Sequence, residues 1–413
     1  MANSLLTINM ITREAVRLWK NTNAFIQNIN RQYDDSFAIE GAKIGSALRV
    51  RLPNDYTVRT GPALQVQDTA EQSITLTLAT QKGVDVSFST VDQTLSLDDY
   101  SERVLAPMIN NLAGNVAADV MSGSEGGVCN FVANQNSVTL ATLALNSSTV
   151  LTAGAVLDEN SGVTYDRNLV ASPRSMSKAV QTLSGLFNPQ TDISKQYKSA
   201  RVYDALNFDW FQDQTVINHT TGSFTAGTVN GASQTGTTLV TNAITGTLNA
   251  GDIITIALVN GVNRITKVTT GQARQFVVTA NVLSGATSIP IYPALIPGSS
   301  SYVATTGAGA VQYQTVTVSP ANAAAISLVN MAGETYRKNI AYTPDAITMV
   351  TADLYRPTRG VVDSAREVYD DVSMRMITDY VIGTDQEVTR LDVLYGYLYV
   401  RPEWAVIVAD SIP

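Results

Sequence analysis

Ser96–Gly123, SLDDYSERVLAPMINNLAGNVAADVMSG, carries the strongest helical pattern in the chain. Leu97, Val104, Leu105, Met108, Ile109, Leu112, Val116 and Val120 recur at helical spacing. Ser96 is placed to cap the N-terminus, and Asp98 and Asp99 suit the positive end of the helix dipole. Gly123 is placed to end the helix. At 1.5 Å per residue the stretch would run roughly 40 Å, a structural spine. Pro107 falls inside it and is expected to kink or divide the helix.

Upstream, residues 9–30 read as an amphipathic helix capped by Asn9, with Ile11, Ala15, Leu18, Phe25 and Ile29 on one face and Arg13, Arg17 and Lys20 on the other. Its stripe either docks on another element or subunit, or joins a local core. From Ala47 the period changes to two: Leu48, Val50 and Leu52 alternate with Arg49 and Arg51, and Ile74, Leu76 and Leu78 alternate with Ser73, Thr75 and Thr77. Pro53-Asn54-Asp55, Gly61-Pro62 and a polar run to Gln72 separate the two strands. The pattern predicts a long two-stranded ribbon, which needs a surface to lie on because two strands alone are barely stable in water. A third strand is expected at Val84, Val86 and Phe88, beyond a turn at Gly83.

Downstream, 126–222 mixes α and β. Leu169-Val170-Ala171 reads as a short buried strand, followed by Ser172-Pro173 as the cap and first residue of a helix through Met176, Val180, Leu183 and Leu186. From Gly222 to Gly333 the only charges are Asp252, Arg264, Lys267 and Arg274. Strand-like runs at Ile253–Val259, Val262–Val268, Phe276–Val278 and Ile289–Tyr292, with Asn230-Gly231 and Asn260-Gly261 as turns, predict an all-β module over 223–320 inserted into a loop of a parent domain. The alanine-rich run Pro320–Met331 is expected to be helical. Val388–Val408 reads as two strands joined by a turn at Arg401-Pro402-Glu403.

The chain has 413 residues, room for two or three domains at about 150 residues each. A net charge of −8 disfavours wrapping nucleic acid, which needs clustered positive charge. Charged residues are only 15% of the chain, so its polarity comes from Thr, Ser, Asn and Gln, which cost less than charges to bury at a subunit contact. With 45% hydrophobic residues it can build a core, which excludes disorder. Cys129 is the single cysteine and His219 the single histidine, leaving no framework for a disulfide, a cysteine zinc site or a multi-histidine centre. No apolar run reaches the roughly 18 residues that span a bilayer. Met1–Leu6 lacks a basic segment followed by a long apolar one, so no signal peptide is expected. Without one, the sequons at Asn146 and Asn218 read as chance.

No catalytic motif emerges. There is no nucleophile elbow and no phosphate-cradling loop. His219 lies at the edge of the β module without a motif around it, so a surface or hinge histidine is its default reading. Asp363, Glu367, Asp370 and Asp371 form the densest acidic group. They could hold a hard cation, but they match no EF-hand loop, and Arg359, Arg366 and Arg375 are interleaved. A solvated or intersubunit salt-bridge face is the better reading. Arg49, Arg51 and Arg59 either grip acidic residues of a neighbour or are solvated.

An N-terminal helix, a ribbon, a spine helix, an α/β region and an inserted β module stand in that order. The order resembles the major capsid proteins of tailed bacteriophages, of the Salmonella short-tailed phage coat type with an insertion domain. Four stretches carry the resemblance: Ser96–Gly123; Leu169–Pro189; Leu248-Asn249-Ala250-Gly251-Asp252 with Ile253–Ile256; and Leu394–Val408 around Arg401-Pro402-Glu403. It implies an α+β chain with the Hong Kong ninety-seven phage capsid fold. The parts would be an N-arm (1–40), an extended loop (41–80), a peripheral domain with the spine helix (81–125), an axial domain (126–222), the inserted β domain (223–320), a return through the axial and peripheral domains (321–387) and C-terminal axial strands (388–413). It also implies no cofactor and no catalysis. The subunits would form hexamers and pentamers of an icosahedral shell around DNA. A scaffolding protein would direct assembly in the host cytoplasm, and a portal protein would occupy one vertex.

Two other classes compete with this reading. A secreted adhesin or surface-layer protein would account for the Thr/Gly-rich module but requires secretion. A hydrolase carrying a carbohydrate-binding appendage requires a catalytic constellation.

Overall fold

The computed structural model describes residues 12–15, 17–19, 23–33, 47–52, 55–56, 58, 60–64, 66, 72–89, 104, 106–133, 145–183, 202, 204–298, 310–329, 331–357, 363–369 and 371–412. The chain divides into two compact units. One draws on Met1–Arg49, Thr75–Val120 and Ile347–Leu398, the other on Val50–Ile74, Met121–Ala346 and Tyr399–Pro413.

The N-terminal segment is not one helix over 9–30. Residues 12–15 and 17–19 are helical, and Asn23 then starts a new short helix, α1 (Ala24–Gln27), its Oδ1 accepting the Ile26 N–H at 3.1 Å. An asparagine competes with the helix backbone in this way and favours a cap over an interior. Asn30 already belongs to strand β1 (Asn30–Tyr33). Asn9 lies outside the described residues. Ala15, Trp19, Phe25, Ile26 and Ile29 are buried. The alternating sequences form β2 (Ala47–Leu52) and β3 (Gln72–Thr77), which pair with each other in a two-stranded sheet. Strand β4 (Thr80–Ser89) follows, and Gly83 lies inside it rather than at a turn. The spine helix α2 spans Ala106–Ser122, about 25 Å at the standard rise, and buries Met108, Ile109, Leu112, Val116 and Val120. Pro107 is its second residue, a position where the missing N–H is tolerated, and Val104 just upstream has π-helical geometry, so the regular α-helix starts beside the proline. Ser96–Arg103 lie outside the described residues.

A four-residue helix, α3 (Ser124–Gly127), leads into β5 (Asn130–Val132). Helix α4 (Ser147–Glu159) is capped by Asn146, whose Oδ1 accepts the Thr149 N–H at 2.8 Å; one sequon asparagine thus has a structural role. Strand β6 (Asn168–Ala171) is wholly buried and runs into α5 (Pro173–Leu183), capped by Ser172 Oγ, which accepts the Ser175 N–H at 3.2 Å. Short strands β7 (Asp204–Ala205), β8 (Phe208–Gln212) and β9 (Asn218–Thr220) complete the mixed region.

The charge-poor segment is all β. Strands β10 (Gly227–Thr228), β11 (Gly236–Val240), β12 (Ile253–Val262), β13 (Thr269–Val278), β14 (Ser288–Leu295) and β15 (Ala325–Leu328) form one sheet in the order β10-β15-β12-β13-β14-β11. Its core gathers Phe224, Leu239, Ile254, Ile256, Phe276, Val278, Ile289, Ile291 and Ile326. Two expectations fail here. Asn260-Gly261 is not a hairpin turn: β12 runs through it with a shift of register, and the reversal comes at Asn263. There Asn263 Oδ1 accepts the Ile265 and Thr266 N–H groups, an Asx turn that fixes the reversal locally. Nor is 320–331 helical. Ala325–Leu328 is a strand paired with β12, Ile254 opposite Leu328, so the sheet extends past residue 320. Pairing with β12 and burial of Ile326 in that sheet override alanine's helical propensity, which is a local preference only.

The return begins with β16 (Thr335–Tyr342) and β17 (Ile347–Ala352), then β18 (Asp363–Tyr369), β19 (Val372–Val381), β20 (Gln386–Tyr399) and β21 (Ala405–Ser411). In the first unit the sheet order is β1-β17-β20-β19-β18, with β4 also on β20. Leu76, Leu78, Val350 and Ala352 pack together with Leu394 and Leu398 against them. Gly83 stands opposite Asp392, and a Cβ at Gly83 would lie 2.8 Å from the Asp392 Cβ, so only glycine permits the approach. In the second unit the order is β5-β21-β16-β6-β8-β7, with β9 on the end of β16. The two C-terminal strands therefore belong to different sheets and do not pair as a hairpin. At the centre of the second sheet Asp410, fully buried, accepts from Lys178 Nζ at 2.8 Å, Ser175 Oγ at 2.8 Å and Arg337 at 3.0 Å, tying α5, β16 and β21 together. Asp410→Ala removes the shared acceptor and leaves two cations uncompensated. It is expected to lower stability by roughly 3–5 kcal/mol, read from the urea midpoint.

Candidate intersubunit surface

The ribbon carries the features a partner would cover. Arg49 and Arg51, two residues apart on β2, share one face and are both exposed. Arg49 makes no ion pair among the described residues, and Arg59 lies outside them. Between the strands Tyr56 is 55% exposed, Val58 93%, Leu64 83% and Val66 81%. Single exposed apolar residues are ordinary, but four large ones in one loop form the kind of exposed apolar surface that a partner could cover. Their sequence signal was available: apolar residues in a stretch otherwise rich in turn formers.

One half-buried cation anchors this loop. Arg264, on the turn after β12, donates through Nε to Asp55 Oδ2 at 2.8 Å and through a terminal nitrogen to Glu403 Oε1. Burial works against its charge, but the two carboxylates outweigh it and hold the guanidinium above its ordinary pKa. Beside it Arg401 reaches Glu403 at 3.6 Å and stacks on Trp404 at 4.6 Å. The resemblance drew attention to Arg401-Pro402-Glu403 but not to Arg264, whose signal is its rarity in a segment with four charges. The other three are also engaged. Asp252 bonds His219, Lys267 donates to the Gln312 carbonyl at 2.6 Å, and Arg274 reaches Asn160 at 3.3 Å.

The acidic group is arranged otherwise than its sequence implied. Arg366 turns to Asp353 at 3.2 Å, and Arg375 grips Asp392 at 2.6 and 3.0 Å. The interleaved arginines thus leave Asp363, Glu367 and Asp371 without an ion pair among the described residues. Asp363 and Glu367, four apart on β18, share a face. Asp363 is exposed and Glu367 half-buried, and Asp371 is exposed in the turn to β19 with φ +63°. Asp370 lies outside the described residues. Cys129 is buried, which pushes its thiol pKa up, an inert setting. His219 is buried at the module's edge rather than on the surface. Among the described residues no three His, Cys, Asp or Glu side chains converge to hold a metal ion. No helix among them is long and apolar enough to cross a membrane.

Comparison with known proteins decides the family. Residues 27–408 match the P22 coat protein family, described as P22 coat protein, gene protein 5. The chain belongs to that family. It is a structural major capsid protein of a tailed phage, with the α+β capsid fold, and a component of the virion. No curated protein matches it by sequence. Among solved structures, the coat protein is similar to one titled Mycobacterium phage Che8, at 9% identity and a TM-score of 0.46, covering 94% of this chain and 90% of that one. It is also similar to the capsid structure of the cyanophage P-SCSP1u, at 10% identity and TM-score 0.45, covering 95% and 89%. The CUS-3 coat protein I-domain matches at 28% identity and TM-score 0.21, over 26% of this chain and 96% of that one. At those scores the structural likenesses add nothing to the family match.

Replacing Arg264 by methionine keeps the stem and removes the charge that Asp55 and Glu403 share. A stability loss of roughly 1–3 kcal/mol is expected, with faster hydrogen exchange at residues 50–56 while β21 keeps its protection.

Proposed function

We propose that the coat protein acts by self-association, without covalent chemistry and without a cofactor. Copies assemble as hexamers and pentamers into an icosahedral shell that encloses double-stranded DNA. Assembly proceeds in the host cytoplasm around a scaffolding protein, with a portal protein at one vertex. In this reading 1–40 is the N-arm, 41–80 the extended loop and 81–125 the peripheral domain with the spine. Segment 126–222 opens the axial domain, and the inserted β domain follows it. The loop of each copy lies on its neighbour, with Arg49, Arg51 and Arg59 facing that neighbour's Asp363, Glu367, Asp370 and Asp371. The observation that carries the reading is the exposure of Tyr56, Val58, Leu64 and Val66 beside arginines, set against Asp363, Glu367 and Asp371, which have no ion pair among the described residues. A second copy offers both complements at once, and many weak contacts give a closed particle its stability through multivalency.

Replacing residues 54–71 by Asn-Gly closes the ribbon as a two-residue hairpin. Folded chain without closed particles is the expected result in sedimentation and electron microscopy, and normal shells would overturn the loop's role. For the charge pairing, Arg49→Glu with Arg51→Glu is expected to abolish assembly. Adding Asp363→Lys with Glu367→Lys is expected to restore it, and failure of that rescue would assign the arginines to another contact.

A further inference from the structure

Two short segments carry the chain into and out of the β module, and they are stitched together. Thr221 N donates to the Glu334 carbonyl at 2.9 Å, Gly333 N to the Gly222 carbonyl at 3.0 Å, and the Thr220 and Thr335 hydroxyls pair at 2.9 Å. Beside this crossing lie four titratable side chains that the proposed shell contacts do not use. His219, on β9, is 4% exposed, with Nε2 2.9 Å from Asp252 Oδ1 and Nδ1 3.4 Å from Glu125 Oε1. Asp252 belongs to the module and is fully buried, its second oxygen accepting the Asn249 N–H at 2.8 Å and the Gly222 N–H at 3.0 Å. Glu125 belongs to α3, outside the module. Lys338, on β16, is buried, its ammonium has no hydrogen-bond partner among the described residues, and its charge acts on both carboxylates. Tyr336 sets its ring edgewise to His219 at 5.5 Å. Arg337 between them is engaged elsewhere, on Asp410.

This geometry fixes a protonation state. A neutral imidazole has one N–H and can donate to one carboxylate only, which would leave a lone pair against the other. A carboxylate on each ring nitrogen calls for the imidazolium. The backbone is shaped to admit the ring: Gly251 sits at φ +98°, and a Cβ there would lie 2.9 Å from His219 Cε1.

We propose that this joint is a charge-balanced latch, in which the His219 imidazolium, clamped between Asp252 of the module and Glu125 outside it, holds the crossing of the two segments, and loss of its proton loosens residues 219–222 and 333–335 while the Arg264, Arg274 and Gln275 ties of the module remain. Burial disfavours the imidazolium, but the Asp252 and Glu125 contacts outweigh it and raise the His219 pKa above the ordinary 6.5. A histidine whose folded pKa is raised contributes stability that is fully present below 6.5 and is lost as pH climbs through the folded value. Burial pulls Lys338 down to about 8, so the second cation discharges in mildly alkaline solution as well. Its own burial penalty ends there, but Asp252 and Glu125 are then left facing each other with no positive charge between them.

The test is hydrogen exchange of the full chain between pH 6 and 9.5, expressed as protection against intrinsic rates. Peptides covering 217–223, 249–253 and 333–338 are expected to lose about tenfold or more of their protection as pH rises, while β21 keeps its own. His219→Gln is expected to show the low protection at every pH. Lys338→Met is expected to retain the histidine-dependent step. Protection in the unaltered protein that is flat with pH would overturn the latch, as would a loss shared equally by β21 or a step that persists in His219→Gln. If the variant does not fold, the comparison of joint with β21 in the unaltered protein decides alone.

Discussion

The sheet formed by β2 and β3 has two strands, and the loop between them holds Tyr56, Val58, Leu64 and Val66 in water. At about 25 cal/mol per Å2 of apolar surface, covering side chains of this size yields roughly 1.5–3 kcal/mol each when burial is complete. Association costs several kcal/mol in lost freedom, so one such loop supports a weak contact. A capsid needs that regime. Contacts that form and break singly allow errors to be corrected during growth, and the closed particle gains its persistence from their number.

Charge is scarce in this protein and is placed where segments must be held. The β module is almost uncharged, yet Asp252, Arg264 and Arg274 all reach partners outside its sheet: His219, the pair Asp55 and Glu403, and Asn160. Gln275 adds a neutral tie, its amide accepting the Phe131 N–H at 2.7 Å and donating to the Phe131 carbonyl at 3.0 Å. A uniform Thr, Ser and Gly surface gives the module few fixed attitudes by itself, and directional bonds supply them. The Asp410 cluster does the same inside the mixed sheet, where one carboxylate joins three elements.

The sequence revealed what is periodic and local. The apolar positions of α2, the Ser172-Pro173 start of α5 and the alternation of β2 and β3 are all set by residues a few positions apart. Non-local partners defeated the same reasoning. Gly83 looks like a turn until Asp392, on β20, comes to lie against it. Ala325–Leu328 looks helical until β12 offers a partner. Asn260-Gly261 is a strong hairpin signal, but Asn263 three residues on makes the turn with its own side chain. The acidic group was legible as a cluster, and its arginines were legible as neighbours. That Arg366 and Arg375 would turn to Asp353 and Asp392 depended on a sheet order no spacing encodes. Arg264 was seen as one of four rare charges, but its partners lie about 140 and 210 positions away in the chain.

The central claim is that the loop between β2 and β3 completes its burial on another copy of the chain. A three-dimensional reconstruction of the assembled particle, at a resolution that traces side chains, measures this directly. The account predicts Tyr56, Val58, Leu64 and Val66 enclosed by an adjacent subunit. Finding those four side chains still in solvent, or folded back onto their own subunit, would contradict it.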